Sequence, residues 1–114
     1  MFIKNRPKTN NIVVLATNTE ADEYLGVEEL DREHRDKGCV MVKYHYVIRR
    51  CGMVETGREL DKFGHHRRKF NRDSVYVCLV GQEGNFTGEQ IESLLEIERE
   101  LKDLYPTAQI IDLT

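Results

Sequence analysis

Four histidines (His34, His45, His65, His66) and three cysteines (Cys39, Cys51, Cys78) are the side chains in this sequence best suited to ligate a metal or act as nucleophiles. Their spacing argues against both uses. The cysteines are odd in number and no two stand at metal-binding spacing, so they read as separate thiols rather than a zinc knuckle or a disulfide framework. Adjacent histidines point apart on an extended loop, so His65 and His66 are not expected to share an ion. Cys78, between Val77 and Leu79, belongs to a core, and His34 and His45 read as packing histidines with satisfied nitrogens.

The stretch 65–72 has a different character, because four of its eight residues are Arg or Lys and two are His. A charge run is ordinarily a solvated loop. The alternative is a basic rim of Arg67, Arg68, Lys69 and Arg72 that docks an anionic surface, helped by Lys4 and Arg6 of a basic arm over residues 1–8. The whole chain carries a formal net charge of -3, which disfavours a general nucleic-acid or membrane-surface binder. An acidic protein is therefore the expected partner, with nucleic acid a lesser fit through the basic loop. The sequence sets no oligomeric state.

These residues need a scaffold, and 114 residues with 39% hydrophobic and 32% charged side chains suffice for one domain, 1–114, with a single core. The most informative stretch is 12–19. Its β-branched start, Ile12-Val13-Val14-Leu15-Ala16, reads as a strand covered on both faces near the middle of a sheet, and it breaks abruptly into Thr17-Asn18-Thr19. The loop after such a strand is where α/β proteins present chemistry, yet the residue at the switch is Leu15, which has no reactive atom.

Around that strand the pattern predicts further elements. Residues 2–6 alternate apolar and basic and read as a short edge strand ended by Pro7. A polar loop over 17–26 leads to a helix with Val27, Leu30 and His34 on one face and Gly38 as its stop. Residues 42–50 alternate and turn at Cys51-Gly52 into 53–55 as a hairpin, followed by a long basic loop over 59–73 and a second buried strand over 74–80. Thr87 and Gln90 form a capping box for a helix whose apolar positions are Ile91, Leu94, Leu95, Leu101 and Leu104, and Pro106 ends it before a last strand at 108–113. No apolar run reaches the roughly 18 residues that span a bilayer, and the first residues lack a secretory core, so a cytoplasmic chain without membrane insertion is expected.

Taken in order, several words are those of a known family: Ile12-Val13-Val14, the segment 30–38 with His34, Tyr44-His45-Tyr46-Val47-Ile48-Arg49-Arg50, Gly64-His65-His66 followed by Asn71, Ser74-Val75-Tyr76-Val77-Cys78-Leu79-Val80-Gly81, and Phe86-Thr87. Over nearly its whole length the chain resembles the type 2 N-acetylmuramoyl-L-alanine amidases, whose fold is shared by small phage lysozymes and peptidoglycan recognition proteins. The resemblance implies an α/β single domain, a central mixed β-sheet flanked by helices, truncated at the C-terminus.

In that family a zinc ion held by two histidines and one cysteine or histidine activates the water that cuts the amide between muramic acid and L-alanine, which requires three protein ligands and an open position. The resemblance places the first ligand at Leu15, the second near Leu113 and the third beyond Thr114. It thus implies a lost zinc site, no cofactor, and a vestigial Tyr44 that also reads as an ordinary packed strand tyrosine. Tyr44, His66, Asn71 and Thr17 are left as a groove able to hold a peptidoglycan fragment. The expected function is that of a catalytically inactive amidase-fold protein, phage or prophage encoded, acting in the cytoplasm of the bacterial host as a regulator or host antagonist. Small phage lysozymes, which also restrain a phage RNA polymerase, offer the parallel. Two alternatives stay open: peptidoglycan binding without cutting, and residual amidase activity through a relocated metal among His45, His65, His66 and Cys78 or through ligands supplied in trans.

Overall fold

The β-branched run forms β1 (Asn11–Ala16), and in the computed structural model, which describes residues 3–114, this strand is paired along both edges. After it come α1 (Val27–Asp36), β2 (Tyr46–Ile48), β3 (Val54–Thr56), α2 (Arg68–Asn71), β4 (Ser74–Leu79), α3 (Gly88–Leu104) and β5 (Gln109–Asp112). The strands make one mixed sheet in the order β3-β2-β4-β1-β5, parallel throughout except for the β2–β3 hairpin. This is the expected α/β domain, with β4 rather than β1 at its centre.

Both faces of the sheet are covered, which is why β1 and β4 show no polar alternation. Ile12, Val14, Val75, Val77 and Leu79 pack against Ile97 and Leu101 of α3. On the opposite face Val13, Leu15, Val47, Tyr76 and Cys78 pack with Tyr44 and with Leu30 of α1.

Each long helix is fixed at its N-terminus by side-chain acceptors for amides that have no intrahelical partner. At α1 the Gly26 N–H donates to Glu29 Oε1 (2.7 Å) and the Val27 N–H to Glu55 Oε1 (2.9 Å). At α3 the expected box is present: the Gln90 N–H donates to Thr87 Oγ1 (3.1 Å) and the Thr87 N–H to Gln90 Oε1 (3.0 Å). Gln90 has a second task. It is fully buried, and its Nε2 donates to the carbonyls of Ile48 (3.1 Å) and Val80 (2.8 Å), which ties α3 to the point where β2 and the end of β4 part.

Several expectations are corrected. Residues 3–6 form no edge strand: Asn5 makes one antiparallel bridge to Lys62, and Phe2 lies outside the described residues. The cause is Arg6, whose guanidinium turns inward to donate to the carbonyls of Leu60 (2.7 Å) and Lys62 (2.9 Å) and to Tyr105 Oη (3.3 Å), so the arm is clasped by a side chain instead of a ladder. The first hairpin strand starts only at Tyr46 because the His45 ring takes a backbone's place: Nδ1 accepts the Tyr76 N–H (2.9 Å) while the His45 N–H donates to the Tyr76 carbonyl (3.1 Å). The 59–73 loop contains α2, one turn that brings Phe70 onto the core. The buried stripe of α3 is Gln90, Ile97 and Leu101, with Leu94 partly covered, whereas Ile91, Leu95 and Leu104 are exposed.

Two predictions follow from these buried polar groups. Replacing Gln90 by Leu takes one of two donors from each of the Ile48 and Val80 carbonyls, leaves the Thr87 amide without its acceptor and removes a contact to Arg50, and is expected to lower unfolding stability by about 2 kcal/mol, read from the urea midpoint at unchanged m-value. His45 is 1% exposed, donates from Nε2 to the Lys62 carbonyl (2.7 Å), and is pushed down to about 4, chiefly by burial. Its folded value lies below the unfolded one of about 6.5, so its contribution is intact above that pH and is lost as pH falls toward 4, by a total of about 3 kcal/mol. Denaturation curves at pH 7 and pH 4 should show wild type losing more stability than His45→Gln; equal losses would remove His45 as the cause.

Candidate functional site

Where β1 ends, the chain leaves the sheet under tight control. Thr17 Oγ1 accepts the Gly81 N–H (2.9 Å) and lies 2.7 Å from Thr19 Oγ1, while the Thr19 N–H donates to the Gly81 carbonyl (3.2 Å). Between them Asn18 has φ +59°, a left-handed conformation that Asn tolerates better than most side chains. This loop walls a groove of about 270 Å³, closed on other sides by Leu30, Glu33 and His34 of α1 and Lys37 just after it, by Lys43 and Tyr44, and by His66 of the basic loop.

Tyr44 is only 8% exposed, deeper than a half-buried strand tyrosine, and its ring meets His34 edge-on at 5.4 Å and His66 at 6.4 Å. Burial raises its phenol above the usual range. His34 Nδ1 accepts the Lys43 N–H (3.0 Å), which leaves the proton of the neutral ring on Nε2. Burial first, and then the Lys43 charge, shift His34 toward its neutral form; burial followed by Arg67 and Lys43 does the same to His66. Among the described residues the Lys43 ammonium has no carboxylate within ion-pair distance, whereas Lys37 is paired with Glu33 at 2.9 Å.

Leu15 is 2% exposed and sealed into the core with Leu30 and Tyr44. The parallel register of β1 and β5 pairs Val13 with Ile111 and Val14 with Asp112, so Leu113 comes next to Leu15, held by its N–H donating to the Val14 carbonyl (2.7 Å). Leucine has no lone pair to give a metal. Among the described residues no group of three His, Cys, Asp or Glu side chains is placed to hold an ion, so the donors present do not fit the zinc that the resemblance implies.

Thr17, Tyr44 and His66 thus share the expected groove. Asn71 stands behind it: its Oδ1 accepts from Tyr76 Oη (2.6 Å) and from the His66 N–H (2.9 Å), so it shapes the loop that carries His66. Arg67, Arg68, Lys69 and Arg72 are exposed without an ion-pair partner among the described residues; Lys69 lies over the Phe70 ring (4.9 Å) and Arg72 over the Phe63 ring (5.8 Å). Lys4 is brought near this rim, because its carbonyl accepts the Phe63 N–H (3.0 Å), but Arg6 is committed inward. Lys43 has no signal in the sequence that would place it at the groove. Between buried Val42 and Tyr44 an alternating strand would have sent it to solvent on the far face, and only the irregular backbone before β2 puts it at the groove.

No described helix is long and apolar enough to cross a membrane. The sequence profile of the N-acetylmuramoyl-L-alanine amidase family matches residues 5–112. The endolysin of Enterobacteria phage K11 is 39% identical over 113 residues, covering 93% of this chain and 75% of the endolysin. The endolysin of Escherichia phage T7 is 37% identical over 98 residues, covering 80% of this chain and 65% of its own length. Among solved structures, the N-acetylmuramoyl-L-alanine amidase LysCS from Clostridium intestinale superposes with a TM-score of 0.82 at 22% identity, over 95% of this chain and 71% of that one. Drosophila PGRP-LB superposes with a TM-score of 0.85 at 16% identity, over 97% and 73%, which shows the shared fold. With the profile spanning residues 5–112 and phage endolysins related along most of its length, this chain belongs to the N-acetylmuramoyl-L-alanine amidase family.

Proposed function

We propose that this chain is a non-hydrolytic member of the amidase family that acts by binding an acidic protein partner, and that it works without a cofactor. The observation that carries the reading is the adjacent pair Leu15 and Leu113 at the ends of β1 and β5, where zinc-dependent hydrolysis needs metal donors. Tyr44 and His66 line the groove, and among the described residues no set of three metal donors stands beside them. The basic rim supports the second half of the reading: four exposed cations on one short stretch, without counter-ions among the described residues, give a local field opposite to the chain's net charge of -3.

A second reading, amide hydrolysis of muropeptides, is favoured by the family match and by the endolysin names of the relatives. The two separate in one assay. Purified protein with added zinc, given isolated cell walls, is expected to leave turbidity at the buffer baseline and release no free stem peptide, while a K11-type endolysin clears the suspension in parallel. Stem-peptide release above background that a chelator abolishes would replace the first reading by the second.

A further inference from the structure

Two lysines, two histidines and a tyrosine converge on the groove from three parts of the chain, and the carboxylate among them is ion-paired. Lys43 reaches it from the segment before β2, His34 from α1 and Lys37 just after it, and His66 from the basic loop. Glu33 is the acidic residue at the mouth, and it is held by Lys37 at 2.9 Å. Lys43 is thus a half-buried residue with no carboxylate within ion-pair distance among the described residues, its charge felt by Glu33 only at longer range, and it stands beside two hydrogen-bond donors that also lack a protein acceptor among them: the Tyr44 hydroxyl and the His34 Nε2–H. An ammonium flanked by unused donors is complementary to one anionic group. The lip of the same groove is set by Asn18 in its left-handed conformation, a backbone arrangement that the flanking Thr17 and Thr19 bonds hold in place.

We propose that this groove seats one carboxylate side chain of an acidic protein segment, with Lys43 as the principal cation and the Tyr44 hydroxyl and His34 Nε2–H as its donors. This rests on the binding reading above and names its anchor. Continuity of charge selects a protein segment over a small acid: His66 lines the groove, and Arg67, Arg68 and Lys69 follow it directly on the exposed loop. A chain with one carboxylate in the groove can thus lay further acidic residues along the rim. Glu33 limits the seat to a single carboxylate, because a second would meet its charge.

The seat adds no covalent chemistry and needs none. Its effect is specificity: rim contacts in water steer a partner and are weakened by salt, whereas a contact inside the groove holds it. Salt and mutation therefore act differently on the two parts.

The test uses the full chain and a fluorescein-labelled hexaglutamate peptide, followed by anisotropy at two salt concentrations. Lys43→Ala is expected to weaken binding by about tenfold or more, Lys43→Arg to retain it within about threefold, and Arg99→Ala, an exposed cation on α3 away from the groove and rim, to change it by less than about twofold. Arg67→Ser with Arg68→Ser is expected to flatten the salt dependence. If the rim pair abolishes binding while Lys43→Ala behaves like Arg99→Ala, the seat is wrong and the rim reading stands. Absence of any hexaglutamate binding by wild type, or tighter binding of an oligothymidylate of equal charge, overturns both. Unchanged thermal midpoints for the Lys43 variants establish that loss of binding is not loss of fold.

Discussion

The structure depends on the complete enclosure of β1. The strand is hydrogen-bonded to β4 on one edge and β5 on the other, and its residues from Ile12 to Leu15 are buried on both faces. A strand held in this way has no freedom to slip, since a one-residue shift would exchange the side chains facing α3 with those facing α1. Everything that follows Ala16 is therefore delivered to a fixed place, and so are the ends of its two parallel neighbours.

That rigidity makes the character of the strand ends informative. In an α/β sheet the carboxyl ends of parallel strands gather at one edge, and loops there inherit a precise frame for chemistry. Here the frame is intact: Thr17 is clamped to Gly81, Tyr44 is wedged between two histidines, and Gln90 locks the ends of β2 and β4 to α3. What fills the frame is apolar, with Leu15 and Leu113 side by side. The scaffold and the reactive centre are separable, because the first is fixed by packing over the whole sheet and the second by a few side chains at its rim.

The elements that the sequence revealed are those whose determinants are local. β1 and β4 are β-branched runs without alternation, α1 stops at a glycine with φ +92°, and the Thr87 and Gln90 box starts α3. What stayed hidden depends on partners far along the chain. Arg6 looked like a rim charge, but carbonyls more than fifty residues away draw it inward. His45 looked like a strand residue, yet its ring replaces a backbone acceptor for Tyr76 and cuts the strand short. The helical period of α3 was correct and its phase was not, because Gln90, a polar residue, earns burial through bonds to Ile48 and Val80 that no periodicity encodes. At the groove, Tyr44 and His66 could be anticipated from the resemblance, whereas Lys43 lies in the segment before β2 that forms no strand and lines the groove beside Tyr44.

We propose that an amidase-family scaffold is kept here without the metal that hydrolysis requires. Calorimetric titration of the protein with zinc at neutral pH tests this directly. No saturable heat, and complete removal of added zinc by a weak chelator, are the expected results. One tightly bound zinc ion per chain, retained against that chelator and lost on substitution of Tyr44 or its neighbours, would contradict it.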